Sequence, residues 1–555
     1  MSRCRLSPVG CFLTQGRGGS LVRSSDSNRG RTWPIAVANV LTVLSSRGHF
    51  MPTPEADPIT RYVSEHDFKM TIGGKFVDGR DGEVRDVVDP STGATLTTIP
   101  VASARDVGDA VTAARAAQPA WEALGVSGRS ECFSHFADLV QENRERLAML
   151  DAIDCGNPVG AMRADIDQCA SYLDGWPALA KGLTGDVIPS SPDHLHYTSH
   201  RPFGVVGRIT AFNHPAMFGI TRPLPSLITG NTLVMKPSDE TSLSTLALGE
   251  LFDQAFPPGV VNIVTGGPAT GDALVTHPDV KRLAFTGSVG TGLRIQGRGA
   301  ESGYVKQISL ELGGKNAMVV FPDYDVDLAV DGALFGMNLN VCQGQACGSN
   351  SRVMVHARIY DEFVNRLADK LSRYRVGVAY DESTDVGPVV SKAHWNRVSG
   401  YIEAGVEDGA TLVRGGDRPG GLPEFGNFLE PALFADVTPK MRIGREEIFG
   451  PVVSIFRWDD YDTMLADANG LDLGLTASVW TNDLAIAHRT ADALDAGYVW
   501  INDSTRHFFG TPFGGSKNSS LGREESKDEM LSYLEYKVVH TRLGDAKASL
   551  NRLLS

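Results

Sequence analysis

Gly204-Val205-Val206-Gly207-Arg208-Ile209-Thr210 and Asn231-Thr232-Leu233-Val234-Met235-Lys236 are short strand-like runs with turn-forming residues ahead of them. The second leads into a helical pattern over 242–256. Two further runs follow, Val260-Val261-Asn262-Ile263-Val264 and Arg282-Leu283-Ala284-Phe285-Thr286. Short apolar strands alternating with helices predict a parallel, doubly wound sheet. The alternation restarts after Glu311. Strands are expected over 317–321, 352–356, 410–414, 452–458, 475–481 and 498–502, with helices most clearly over 359–374 and 485–496. The expected fold class is therefore α/β, with two doubly wound parallel-sheet domains.

Outward from this centre, helical patterns fill the chain from Ser103, an N-cap residue, to Lys181; two of them cover 107–124 and 128–154. Two polar strand-like runs, 193–200 and 533–540, belong to neither sheet. An edge strand of that kind pairs with another part of the chain or with another subunit. The first 50 residues hold seven arginines, no lysine and one acid, Asp26. That composition suits a transit peptide, which would send the chain to an organelle. We prefer a disordered extension ahead of Met51, where the composition begins to match the remainder, and then expect a cytoplasmic protein.

Composition narrows the function. A formal net charge of −14 argues against nucleic acid as a partner, because phosphate backbones need a basic face. The apolar run 34–44 is too short to span a membrane. The cysteines, Cys4, Cys11, Cys132, Cys155, Cys169, Cys342 and Cys347, are odd in number and scattered, which points to a reducing compartment. No cysteine–histidine cluster suggests zinc, so no metal is expected.

Six stretches could carry chemistry. In Val341-Cys342-Gln343-Gly344-Gln345-Ala346-Cys347-Gly348-Ser349 a thiol closes a small, polar loop that feeds a strand. A nucleophilic cysteine needs such access and nearby N–H donors, whereas a merely packed cysteine does not. In Phe285-Thr286-Gly287-Ser288-Val289-Gly290-Thr291-Gly292 a strand turns into a helix, whose N-terminus favours phosphate or is simply capped. Lys236-Pro237-Ser238-Asp239 lies past a strand end, where Asp239 could hold a ribose hydroxyl or pair with a neighbouring cation. Asn213, in Phe212-Asn213-His214-Pro215, could donate to an oxyanion or cap the next helix. Glu311, between leucines and ahead of two glycines, suits proton transfer if buried. A carboxylate beside an aromatic ring recurs in Glu446-Glu447-Ile448-Phe449.

Taken together these stretches resemble the NAD(P)-dependent aldehyde dehydrogenase superfamily, from about Met70 to Lys537. Glu311-Leu312-Gly313-Gly314-Lys315, followed 36 residues after its glutamate by Cys347 in Gly344-Gln345-Ala346-Cys347, carries the resemblance. It implies Cys347 as nucleophile, Glu311 as general base and Asn213 as oxyanion donor. It also implies cofactor contacts at Ile209, Lys236, Asp239, Gly267, Gly271, Gly287, Ser288, Leu312, Glu447 and Phe449. The implied layout is an NAD(P)-binding domain over 51–310 with an arm strand near 193–201. A catalytic domain over 311–505 follows, then a return segment with an oligomerisation strand over 506–555. A homodimer or homotetramer is implied. The implied reaction turns an aldehyde into a carboxylic acid through a thioester on Cys347, with NAD as hydride acceptor and NADP possible. A coenzyme A-acylating relative and a non-catalytic descendant are the alternatives. The sequence departs from the family's Trp-Asn-Phe-Pro at Phe212 and His214, and carries Asp239 where Glu is common. Cys342 is not at the family's position. His214, Met217, Phe218, Phe508 and Phe509 are expected to line an aromatic substrate pocket favouring apolar aldehydes.

Overall fold

The computed structural model describes residues 58–544; the reading of residues 1–50 lies outside the described residues. An eight-stranded sheet runs in the order Lys75–Val77, Met70–Ile72, Val261–Ile263, Thr232–Lys236, Val205–Ile209, Val280–Thr286, Gln307–Glu311, Ser520–Leu521. The strands from Val261–Ile263 across to Gln307–Glu311 are all parallel. Val205–Ile209 and Thr232–Lys236 are buried along their whole length, which is why both runs are mostly apolar. Chain order reverses between Val205–Ile209 and Val280–Thr286. In an open α/β sheet the crevice past the carboxyl ends at such a reversal is where ligands bind.

A seven-stranded sheet follows, in the order Thr411–Arg414, Ala432–Ala435, Val452–Trp458, Arg352–His356, Ala317–Val320, Thr476–Trp480, Tyr498–Ile501. Only its edge strand Thr411–Arg414 is antiparallel. Residues 312–316 join the carboxyl end of the first sheet to the amino end of the second. Whatever sits past Glu311 is therefore brought to the start of the second sheet. Late in the chain Ser520–Leu521 returns to the first sheet and pairs antiparallel with Gln307–Glu311, setting Ser520 opposite Glu311.

Helix Ala104–Ala123 begins at Ser103 with a full capping box, Ser103 and Asp106 satisfying each other's backbone N–H. The helix expected over 128–154 is two helices, Gly125–Glu142 and Arg144–Cys155. The Asn143 side chain donates to the Leu139 carbonyl at 2.8 Å, a local bond that competes with helix continuation. The two isolated polar strands find each other: His194–Pro202 pairs antiparallel with Leu534–Arg542 along its full length. This ribbon leaves Tyr197, Tyr536 and Val538 exposed. Among the described residues no helix is long and apolar enough to cross a membrane.

Candidate active site

The loop before strand Arg352–His356 is not the solvated turn its polarity suggested; most of it is buried. A short helix, Leu339–Cys342, is flanked by Asn338 and Gln343 in the left-handed region, φ 53° and 54°. Gly344 follows at φ 72°, where an added Cβ would meet the Gly450 carbonyl at 2.5 Å. The polar side chains turn inward and tie the loop down. Gln343 donates to the Gly156 carbonyl at 3.2 Å, and Gln345 to Gln343 at 2.8 Å. The Val390 N–H donates to Gln345 at 3.1 Å. Asn316 donates to the carbonyls of Cys347 and Ser349 at 2.7 and 2.9 Å. Cys347 itself stays partly exposed. Desolvation, then the carboxyls of Glu447 and Glu311, push its pKa up to about 12, so the resting side chain is a thiol.

Glu311 ends strand Gln307–Glu311 and is buried. Its Oε1 accepts from Ser520 Oγ at 2.8 Å, while Oε2 has no partner. Burial first, and the charge of Glu524 second, raise its pKa well above the usual carboxylate range. Glu524 stays ionised between two buried arginines, Arg208 at 2.7 Å and Arg222 at 2.9 Å. Asn213 is buried, and its backbone carbonyl accepts from Asn157 Nδ2 at 2.8 Å. The thiol of Cys155 meets the neighbouring Phe212 carbonyl at 3.3 Å.

The carboxyl edge of the first sheet gathers most of the remaining expected residues. Ile209 and Lys236 are registered neighbours on adjacent strands. A Cβ added at Gly271 would lie 3.9 Å from both side chains, and one at Gly267 would lie 3.5 Å from Asp239 Oδ2. Lys236 is buried, donates to the Pro237 carbonyl at 2.7 Å, and has its pKa lowered to about 8 by desolvation. Asp239 is paired with Arg85 at 2.8 Å. Ser288 caps helix Val289–Glu301 by accepting from the Thr291 N–H at 3.3 Å. The Gly287 N–H donates to the Glu311 carbonyl at 3.0 Å, tying the turn to the end of strand Gln307–Glu311. Leu312 packs against Gly292, where a Cβ would meet it at 2.7 Å. From the second half of the chain, Glu447 accepts from the Gly314 N–H at 3.0 Å. Phe449, at φ 59°, stands edge-on to Phe212 with centroids 5.5 Å apart.

The residues expected to line an aromatic pocket have different surroundings: Phe509 is partly buried against Tyr172 and Trp176, at 5.5 and 5.0 Å, and Phe508 is 53% exposed. Phe218 is buried beneath Arg222, whose guanidinium lies 5.2 Å from the ring centre. Sequence reasoning missed Ser520, Glu524, Arg208, Arg222 and Asn316. The carboxylate pair in Gly522-Arg523-Glu524-Glu525 was the one visible signal.

A buried carboxyl, a pinned thiol and the buried Asn213 thus stand beside a glycine-lined sheet edge. The family model of aldehyde dehydrogenases matches residues 76–539. The chain belongs to the aldehyde dehydrogenase family. Among curated members of this family, it is 42% identical over 513 residues to the aldehyde dehydrogenase tropH of Talaromyces stipitatus, covering 91% of this chain and 98% of that one. It is 39% identical to a betaine aldehyde dehydrogenase of Rhizobium leguminosarum, over 86% of this chain and 98% of that one. Among solved structures, the NAD+ complex of a Bacillus cereus aldehyde dehydrogenase superposes with a TM-score of 0.84 at 37% identity, covering 88% of this chain and 99% of that chain. An NADP-dependent enzyme of Escherichia coli gives 0.83 at 34% identity, with 86% and 98% covered.

Proposed function

We propose that the protein oxidises an aldehyde to a carboxylic acid with NAD as hydride acceptor, using Cys347 as nucleophile, Glu311 as general base and Asn213 as oxyanion donor. One observation carries the reading: Glu311 is buried, has its pKa raised above the usual carboxylate range and is open at Oε2, at the strand end whose connection carries Asn316 to the Cys347 loop. The carboxyl edge of the first sheet fits a dinucleotide. Gly267 and Gly271 leave room beside Asp239, Ile209 and Lys236. The capped N-terminus of helix Val289–Glu301 favours an anion. Ile209, Lys236, Asp239, Gly287, Ser288 and Leu312 would hold the cofactor there, with Glu447 and Phe449 contributed from 311–505. When bound, NAD accepts the hydride that leaves the substrate carbon.

The remaining chemistry belongs to the chain. The Cys347 thiol gives up its proton to Glu311 in its carboxylate form, which passes it on to solvent. The thiolate adds to the aldehyde carbon, and the carbonyl oxygen takes the negative charge. The Asn213 amide and the Cys347 N–H are the donors for it. Loss of hydride from that carbon leaves a thioester on Cys347. Glu311 takes a proton from water, the water oxygen bonds to the acyl carbon, and the sulfur leaves. Asp239 repels a 2′-phosphate, which favours NAD, although Arg85 offsets part of its charge. The ribbon of His194–Pro202 and Leu534–Arg542 is our assignment for the oligomerisation arm of a homodimer or homotetramer.

Purified protein supplied with an aldehyde and NAD+, and with no coenzyme A, is expected to form the carboxylic acid and NADH in equal amounts. A strict requirement for coenzyme A would overturn the hydrolytic reading.

A further inference from the structure

The ribbon that stands apart from both sheets carries a side-chain pair that the reaction does not use. In its antiparallel register His540 lies directly opposite His196, and their Nδ1 atoms are 2.5 Å apart. The two rings meet edge-on, with centroids 4.7 Å apart. His194, two residues earlier on the same face, stacks on His196 at 5.7 Å. Other groups that can carry charge surround the pair. Arg542 is the register partner of His194. His200 stands edge-on to Tyr536 at 4.9 Å, and the Tyr536 hydroxyl donates to Asp186 at 3.1 Å. Asp193 lies at the end of the ribbon, its carbonyl accepting from the Leu543 N–H at 2.8 Å. Arg201, Glu535 and Lys537 alternate onto the opposite face.

Two Nδ1 atoms this close share one proton: one ring donates an N–H and the other accepts with a lone pair. Burial decides which ring donates. Nε2 of His196 is buried and has no partner, whereas His540 is exposed. If His540 were the donor, the proton of a neutral His196 would sit on that enclosed Nε2 and leave an N–H unpaired there, which is costly. The favoured state therefore has His196 donating from Nδ1 and His540 accepting. An added proton then has two places to go. On Nδ1 of His540 it sets two N–H groups head to head and destroys the bond. On Nε2 of His196 it buries a charged N–H without an acceptor. Both arrangements are unfavourable, so the contact holds while the rings are neutral and is lost as the pH falls.

We propose that the His196–His540 pair is an acid-sensitive latch: protonation breaks it, loosens His194–Pro202 from Leu534–Arg542, and weakens the association of subunits through this ribbon. The proposal rests on the assignment of the ribbon as the oligomerisation arm. Tyr536 and Val538 share the face of the pair and are exposed. A change in the pair therefore reaches apolar surface open to a second copy of the chain. The latch recurs in every copy, so its effect grows with the number of arms in the assembly.

Two measurements on the full chain test this, each made at about pH 8 and at about pH 5.5, which bracket the range where histidine changes charge. Sedimentation velocity is expected to show subunit association weakened by about tenfold or more at the lower pH. Hydrogen exchange, corrected for the intrinsic effect of pH, is expected to quicken several-fold in peptides covering 194–202 and 534–542. His540→Gln keeps an acceptor for the His196 N–H but does not titrate, so both acid effects should shrink to a small remainder. His196→Gln can turn its amide to suit either state of His540 and should give the same result. A wild-type ribbon whose exchange ignores pH, or one that responds equally in both variants, overturns the latch. A chain that is monomeric at about pH 8 while its ribbon exchange still follows pH contradicts the arm assignment instead.

Discussion

Cys347 and Glu311, the nucleophile and base we propose, are supported by opposite means. The Cys347 loop is held by neutral amides: Asn316, Gln343 and Gln345 bond to backbone and to each other. The Glu311 side is held by buried ions: Arg208 and Arg222 flank Glu524, and Glu525 pairs with His507 at 2.9 Å. Neutral staples fix a position without imposing a charge on the thiol. An ionic network does both jobs. It ties the return segment to the first sheet, and the charge of Glu524 adds to the effect of burial in raising the pKa of Glu311.

The sharpest way to break this contrast is Glu524→Gln. It leaves two buried guanidiniums short of their counter-charge, a loss of about 3–5 kcal/mol for a broken buried pair, read from denaturant unfolding. The same change removes the negative charge that helps raise Glu311. Glu311 then loses its proton at lower pH, and the limb of the pH–kcat profile that reports the basic form moves to lower pH. A profile that stays in place would separate Glu524 from the base.

Asn316→Ala is expected to cost less, about 1–3 kcal/mol, because neutral buried groups lose partners but no charge is stranded. It frees the carbonyls of Cys347 and Ser349, and the Thr476 N–H that donates to Asn316 at 3.1 Å. kcat is expected to fall while KM for NAD+ holds, since no cofactor residue is touched. A variant as stable and active as wild type would show that the loop needs no staple.

The smallest effect lies at the rim. Arg85 reaches Asp239 and Glu240, at 2.8 and 2.9 Å, and all three are partly exposed. Arg85→Ala should change stability by no more than about 1 kcal/mol. It leaves the Asp239 charge unopposed, so the NAD-to-NADP ratio of kcat/KM should rise several-fold. A shift toward NADP would show that the pair does not govern the choice.

Much of this architecture was legible because parallel strands buried on both faces are mostly apolar, as at 205–209 and 232–236. Cys347, Glu311 and Asn213 were legible because they lie in short local motifs. The supporting shell was not. Arg208 sits inside a buried strand and meets Glu524 from the far end of the chain. Asp165 meets His214 only through tertiary packing. Ser520 reaches Glu311 because the return segment adds a strand to the first sheet. The polarity of the nucleophile loop suggested exposure, since no local pattern shows that a glutamine will be satisfied by a distant backbone carbonyl. Nor does any local pattern show that Phe509 meets Tyr172 and Trp176 edge-on.

The division of labour between thiol and base is tested most directly by trapping the acyl group. In Glu311→Gln the carboxylate that activates water is gone, and hydrolysis should slow by about 10²–10⁴-fold. Mixed with aldehyde and NAD+, then quenched and digested, this variant is expected to carry the acyl mass on the peptide bearing Cys347. The double variant with Cys347→Ser should carry none. No adduct at all, or one that sits on Cys342 and survives Cys347→Ser, would contradict the account.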